Sequence, residues 1–308
     1  MEAKPDVWAI VPNFNGRHHL ERCLPTLLAT EGCRITILVI DDASTDDSVS
    51  FVRHRFPDVC VAPNEGRKGF AGASNTGIRQ ALAAGAQAIA VCNSDTRLHP
   101  QWLALSWPVL TAPGRTGLVG FVEVNPMHEE KFLSFDPGVG IEPARRVPGV
   151  PGCLMLFSSA CLRHVGLFDE DFYLYGEDND MFLRLGHAAW DIRQVRVPVW
   201  HHAGGSSPSG SLAISWLAYR NALRYALKNE SPAGVLRMVA ALGYFGMGPA
   251  STRLPGDAGY ASFCRLRRQG RIVNAALLLA SLAWNAANLN RTLRARRART
   301  PPPEGIRA

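Results

Sequence analysis

Three carboxylates, Glu177, Asp178 and Asp180, crowd into four residues of the stretch "LYGEDNDMFLRLGHAAW", which opens an apolar, helix-like segment. Acids at a helix start cap free N–H groups and suit the positive end of the helix dipole. One or two satisfy that need, so a third points to a further task that the rest of the chain must decide. Asp41 and Asp42 in "VIDDAS", Asp95 in "CNSDT" and His201–His202 in "VWHHAGG" are the other candidates. Oxygen ligands facing a nucleotide diphosphate suit a hard cation, Mg2+ or Mn2+, and an imidazole could complete the set. The plainer alternatives are a helix cap for Asp95 and backbone-paired loop histidines. "GRKGFAGASNTG" (66–77) is rich in glycine and ends where a helix starts, so a diphosphate could approach its backbone. A tight glycine-packed turn is the competing reading.

These residues need a frame. "VWAIVPNFN" reads as a buried strand closed by Pro12 and Asn13, and "ITILVIDDAS", "VCVAPN" and "AIAVCNSD" as further strands. Between them, "HLERCLPTLLAT" places Leu20, Cys23, Leu24, Leu27 and Leu28 at helical spacing. "STDDSVSFVRHRF" and "GASNTGIRQALAAGA" also read as helices. Alternating strands and helices with short connections predict an α/β fold with a mostly parallel sheet covered on both faces. In such sheets ligands bind beyond the carboxyl ends of the strands, where Asn13, Asp41, Asp42 and Asp95 all fall. From Gly120 to Pro151 the pattern weakens and predicts an irregular region. "GCLMLFSSACLRHVGLF" then restores a strand and helix, "RQVRVPVWHHAGGSS" adds a strand and loop, and helices follow from 211.

The chain has 308 residues, enough for a full core, and an ordinary composition with 47% hydrophobic and 19% charged residues. Its seven cysteines are scattered and never spaced as CxxC, which excludes a disulfide framework or zinc site and fits a reducing cytoplasm. "MEAKPDVWAIVP" lacks the pattern of a secretory leader. The net charge of +7 is uneven: residues 252–308 hold eleven arginines against two acids, a balance of +9, leaving −2 for residues 1–251. Such a tail suits a polyanion, lipid or nucleic acid. Aromatic and basic residues do not interleave in a nucleic-acid pattern, which favours an anionic membrane surface.

Taken in order, "IVPNFNG", "VIDDASTDDS", "GFAGASNTGI", "NSDT", "FDEDFYLYGEDNDMFLRL" and "HHAGGSS" resemble the family 2 glycosyltransferases, in particular the bacterial rhamnosyltransferase-like subgroup. The resemblance runs from about residue 7 to 207, with "YRNALRYALKN" a weaker match beyond. It implies the GT-A fold, Rossmann-like with a mostly parallel mixed sheet, over residues 5–210. A helical C-terminal extension (211–299) and a disordered tail (300–308) would follow.

The resemblance also implies a role for each motif. Asp178 matches the general base of an inverting sugar transfer, with Glu177 as alternative base or acceptor ligand. Asp180 would pair with Arg184 one helical turn on. Asp41 and Asp42 match the acids that contact the nucleoside. Pro12, Asn13, Gly72, Asn75, Asn93, Ser94 and Asp95 fall on the remaining donor-binding positions. Asp95 ends a DxD-type motif whose first acid is here Asn93, so the metal ligands implied are Asp95 and His201. The implied substrates are a nucleoside-diphosphate sugar, with dTDP-rhamnose favoured, and a glycan or polyprenyl-diphosphate-linked acceptor. The expected location is the cytoplasm, peripheral on the inner membrane face. Two other functions compete. A nucleotidyltransferase would carry a basic Gly-rich loop after the first strand, where this chain has "PNFNG". A non-catalytic sugar-nucleotide binder would have no need of Asp178 beside Asp95.

Overall fold

A computed structural model describes residues 5–138, 143–202, 211–248 and 269–298. They form two compact units, and the division falls inside one helix, between Asp180 and Met181.

The first unit is built on a nine-stranded sheet. Its first half alternates as expected: β1 (Asp6–Asn13), α1 (Arg17–Leu28), β2 (Arg34–Asp41), α2 (Ser48–Arg55), β3 (Cys60–Pro63), α3 (Gly69–Ala83) and β4 (Ala88–Cys92). β3, β2, β1 and β4 lie side by side and parallel. Alternation along β1 explains the layers: Val7, Ala9 and Val11 face one apolar cluster, with Leu20, Cys23, Leu24 and Leu27 of α1, while Ile10 faces the other with Ile78 of α3. Leu28, grouped with the apolar face of α1 by its spacing, is instead exposed. α3 lies so close to β1 that a Cβ on Gly77 would stand 2.3 Å from Ile10 Cγ2, so only glycine fits there.

The second half of the sheet is mixed. It contains β5 (Thr96–Leu98), α4 (Trp102–Thr111), β6 (Thr116–Val124), α5 (Glu129–Leu133), β7 (Arg145–Arg146), β8 (Leu154–Ser158), α6 (Ser159–Val165), α7 (Glu177–His187) and β9 (Asp191–His201). β8 is antiparallel between β4 and β6, β9 runs parallel to β6, and β5 and β7 are antiparallel to β9. The irregular region expected from Gly120 therefore begins later. β6 continues through Gly120 to Val124, because Val150 packs where a side chain at 120 would be, 2.3 Å from an ideal Cβ.

The second unit joins Leu174–Asp180 to the helices α8 (Leu212–Asn229), α9 (Pro232–Met247), α10 (Arg271–Ala287) and α11 (Leu289–Arg297). Its small apolar cluster centres on Tyr219, Leu223, Leu242 and Leu278. Around it Arg220, Asn221, Arg224, Lys228, Asn274, Ser281, Asn285 and Thr292 are also buried. The asparagines that interrupt the apolar run of α10 thus point inward: Asn274 donates to the Gly246 carbonyl, and Asn285 to those of Arg220 and Ser281. Ile272 and Leu279, on the opposite side of the helix, are 87% and 67% exposed. Among the described residues no single helix is long and apolar enough to cross a membrane. α10 and α11, bent by 63°, meet the length and composition of a span only together. The tail expected at 300–308 and the loop residues 203–210 lie outside the described residues.

Candidate active site

In the sheet unit the polar residues gather at the carboxyl ends of β1, β2 and β4. Asp41 accepts from Asn13 Nδ2 (3.1 Å) and from the Ser44 backbone N–H (3.0 Å). Asp42 accepts from Asn64 Nδ2 (3.0 Å) and from the backbone N–H groups of Lys68 and Gly69 (2.8 and 2.9 Å). The second acid thus ties the glycine-rich loop and the start of α3 to the end of β2. Asn64 was not legible as a site residue, because it follows an ordinary short strand. Asn15 and Ala43, in the loops after β1 and β2, have φ of 49° and 59°. Such backbone is uncommon outside glycine and is kept where surrounding contacts over-determine it, as at binding loops. Arg67 places its guanidinium 3.4 Å from the centre of the Phe14 ring, which joins the loop after β1 to the glycine-rich loop.

Pro12 lies within β1 and pairs with Ile40, next to Asn13. The Asn13 Oδ1 atom is buried and has no hydrogen-bond partner among the described residues. Gly72, in the first turn of α3, is buried, and a Cβ there would stand 2.5 Å from Lys68 Cβ. Asn75 is engaged within the protein. It donates to the Phe168 carbonyl and Glu170, and its Oδ1 accepts from the Phe168 N–H. Its amide therefore braces the segment leading to the acidic motif.

Asp95 and His201 come together across the sheet because β5 pairs with β9, with Thr96 opposite His201. His201 Nε2 lies 3.1 Å from Asp95 Oδ1 and 3.3 Å from Asn93 Nδ2, and Nδ1 lies 2.5 Å from Glu123 Oε1. Burial would raise the Asp95 pKa, but the hydrogen bond and charge of His201 outweigh it and hold the carboxyl below its ordinary value. Burial works against the His201 charge, yet Asp95 and Glu123 raise it to about 9. Glu123 is a partner that sequence reading missed, since it is 78 residues away on another strand.

Among the described residues no three His, Cys, Asp or Glu side chains group as a metal site, and Asp95 and His201 are the pair that this end of the sheet offers. The pair supplies a carboxylate oxygen and an imidazole whose other nitrogen is oriented by a second carboxylate. Asn93 Oδ1 is buried with no partner among the described residues, and a cavity of about 50 Å3 opens beside Asp95. Ser94 is buried between the two. His202 lines the cavity with His18, His19, Arg22, Thr96 and Trp200.

In the helical unit the acidic motif follows Tyr175 and Gly176, both at positive φ (71° and 94°). Glu177 is 5% exposed, and its Oε2 has no hydrogen-bond partner among the described residues. Burial, and then the neighbouring Asp178 charge, push its pKa up to about 8. Asp178 keeps part of its surface open and accepts from the Asn179 N–H at 2.7 Å. Burial raises its pKa too, while backbone N–H groups oppose the shift. The two carboxyls titrate as a coupled pair, and the Asp178 charge is one of the causes that raise Glu177. Asp180, fully buried, accepts from Lys228 Nζ at 2.9 Å and from Asn229 Nδ2 at 3.3 Å. Arg184, the expected partner of Asp180, donates to the carbonyls of Val165 and Leu167. The Lys228 contact spans 48 residues, beyond the reach of helical spacing rules.

The chain resembles known proteins in sequence and in fold. Residues 8–138 match the family described as glycosyl transferase family 2. An N-acetylglucosaminyl-diphospho-decaprenol L-rhamnosyltransferase of Mycobacterium tuberculosis is 29% identical, in an alignment covering 63% of this chain and 76% of the relative. The succinoglycan biosynthesis protein ExoO of Rhizobium meliloti is 34% identical over 32% of this chain and 28% of its own length. Among solved structures, a mannosyltransferase from Pyrobaculum calidifontis in complex with GDP-Man and Mn2+ has a TM-score of 0.57 at 20% identity. It covers 97% of this chain and 84% of its own. S. aureus TarS (residues 1–349) in complex with UDP reaches 0.51 at 15% identity, over 95% and 91% of the two chains. At these identities the structural likeness establishes the fold, GT-A. Residues 8–138, which hold Asn13, Asp41, Asp42 and Asp95 at the strand ends of that fold, are a glycosyl transferase family 2 domain.

Proposed function

We propose that the chain catalyses an inverting transfer of a sugar, with rhamnose favoured, from a nucleoside diphosphate to a polyprenyl-diphosphate-linked or glycan acceptor. The observation that carries this reading is the pair of carboxylates at the start of α7, where Asp178 keeps part of its surface open beside the buried Glu177. Asp178 takes the proton of the acceptor hydroxyl while its oxygen attacks the anomeric carbon. The bond from that carbon to the diphosphate oxygen breaks, the nucleoside diphosphate leaves, and the anomeric configuration inverts. Asn13, Asp41, Pro12, Gly72, Asn93 and Ser94 line the donor side, and Asp42 and Asn75 hold the loops that shape it. Mg2+ or Mn2+, held by Asp95 and His201, would supply positive charge to the departing diphosphate. The rhamnose and polyprenyl assignments are supported by the mycobacterial relative, whose name states that chemistry.

A panel of nucleotide sugars, tested for binding and turnover with and without divalent metal, tests the reading. Product with an inverted anomeric centre is expected, and retention of configuration would contradict the one-step displacement. Asp95→Ala is expected to abolish the metal dependence of donor binding; an unchanged metal titration would remove Asp95 from the site.

The same reading places the helical unit on the cytoplasmic face of an anionic membrane. It is supported by the outward apolar residues Ile272, Leu279 and Leu236, and by Arg271, Arg291, Arg294 and Arg297 on the same helices and their flanks. An apolar helix face with arginines near it suits a lipid interface, and each cation near an anionic surface contributes about 1 kcal/mol.

A further inference from the structure

The motif "YRNALRYALKN" has no part in the donor site, yet its residues hold the acidic motif from both ends. Asn221 Nδ2 donates to the carbonyls of Leu174 (2.8 Å) and Tyr175 (2.6 Å). Those carbonyls border the two successive positive-φ residues, Tyr175 and Gly176. A tyrosine in the left-handed region is strained, so the turn needs outside contacts to keep it there. Seven residues later, two turns along the same face of α8, Lys228 Nζ reaches Asp180 Oδ2 at 2.9 Å and Asn229 reaches Oδ1. Asp178 lies between the two anchor points.

The helix that carries both anchors is itself secured. Arg296 donates to the carbonyls of Leu227 and Glu230 at its C-terminal end, and Arg224 to Thr292. A buried ion pair contributes little net stability compared with an apolar pair of similar size. The Lys228–Asp180 pair, 3% and 0% exposed, therefore calls for a reason beyond stability, and register is the best attested.

We propose that Asn221 and Lys228 are positioning residues for sugar transfer, holding the 175–180 turn in the single conformation that presents Asp178. This rests on Asp178 being the base. Asn221 fixes the backbone entering the turn, and Lys228 fixes its exit through Asp180. Neither touches substrate, so loss of either should appear in turnover and not in donor binding.

The test uses the full chain with Asp178→Asn, Asn221→Ala, Lys228→Met, Lys228→Arg and the double variant Asp180→Asn/Lys228→Met. Each is assayed for kcat, acceptor KM, donor Kd and melting temperature. Misplacing a reacting group by about 1 Å can cost about 10²-fold, so Asn221→Ala and Lys228→Met should lose at least about tenfold in kcat. Donor Kd should stay within about twofold, and Lys228→Arg should recover most of the turnover. The double variant removes the uncompensated charge, so a merely structural pair would regain both stability and kcat. Under the proposal kcat stays low even where the melting temperature returns.

Wild-type kcat in folded Asn221→Ala and Lys228→Met, or full recovery in the double variant, overturns the proposal. If Lys228→Met fails to fold, Asn221→Ala and the double variant decide. An active Asp178→Asn would overturn the base assignment, and the positioning proposal with it. An inactive Asp178→Asn beside fully active Asn221→Ala and Lys228→Met would overturn the positioning proposal alone.

Discussion

The sheet unit encloses Val7, Ala9, Val11 and Leu24, whereas the helical unit encloses Arg224, Lys228, Asn274 and Asn285 and turns Ile272 and Leu279 outward. Both units bury side chains, but different forces account for them. Apolar burial in the sheet unit stabilises a rigid platform, at roughly 25 cal/mol per Å2 removed from water. Buried polar groups in the helical unit must find directional partners, so they select one register over its neighbours. The candidate groups divide in the same way. The donor and metal residues stand at strand ends of the platform, and the acidic pair belongs with the polar interior of the helices.

The largest expected effect tests whether the acidic pair does chemistry. Asp178→Asn keeps the shape of the side chain but cannot take the proton. We expect a loss of about 10² to 10⁴-fold in kcat with donor affinity nearly intact. Activity within a few-fold of wild type would reassign the base, with Glu177 next in line.

Next in size is the contrast in stability. Leu24→Ala in the sheet unit should cost about 2–5 kcal/mol in denaturant unfolding, as expected for a fully buried leucine. Leu279→Glu, on the outward face of α10, should change stability by less than about 0.5 kcal/mol. A large loss at Leu279 would mean that this face is covered, and the contrast would fail.

The same outward face should be visible in membrane binding. Co-sedimentation with anionic vesicles is expected to fall by about tenfold for Ile272→Glu/Leu279→Glu, and binding of the wild type should weaken as salt rises. Equal partitioning to neutral and anionic vesicles, or none to either, would make the arginines of this unit a solvated face.

The smallest effect is in the pH dependence of stability. The folded pKa of Glu177, about 8, lies above its ordinary value of 4.5. The folded state therefore binds more protons between those values, and stability falls as pH rises through that window. Glu177→Gln should flatten this decline in melting temperature between about pH 5 and pH 8. An unchanged slope would show that Glu177 titrates normally.

Much of this was legible in the chain itself. β-branched runs closed by Asn13, Asp41 and Asp95, with helical spacing between them, determine the parallel half of the sheet and put the acids at its ligand-binding edge. That follows because period and turn chemistry are local properties. β6 past Gly120 was hidden, since what permits glycine there is the remote Val150 side chain. The partners of the site groups were hidden for the same reason. Glu123 reaches His201, Asn64 reaches Asp42, and Lys228 reaches Asp180 only after strands pair and helices pack. Sequence alone determined which groups carry charge and on which elements they stand. Tertiary structure decided which charges meet and which are buried, and burial is the main cause that raises the Glu177 carboxyl to about 8.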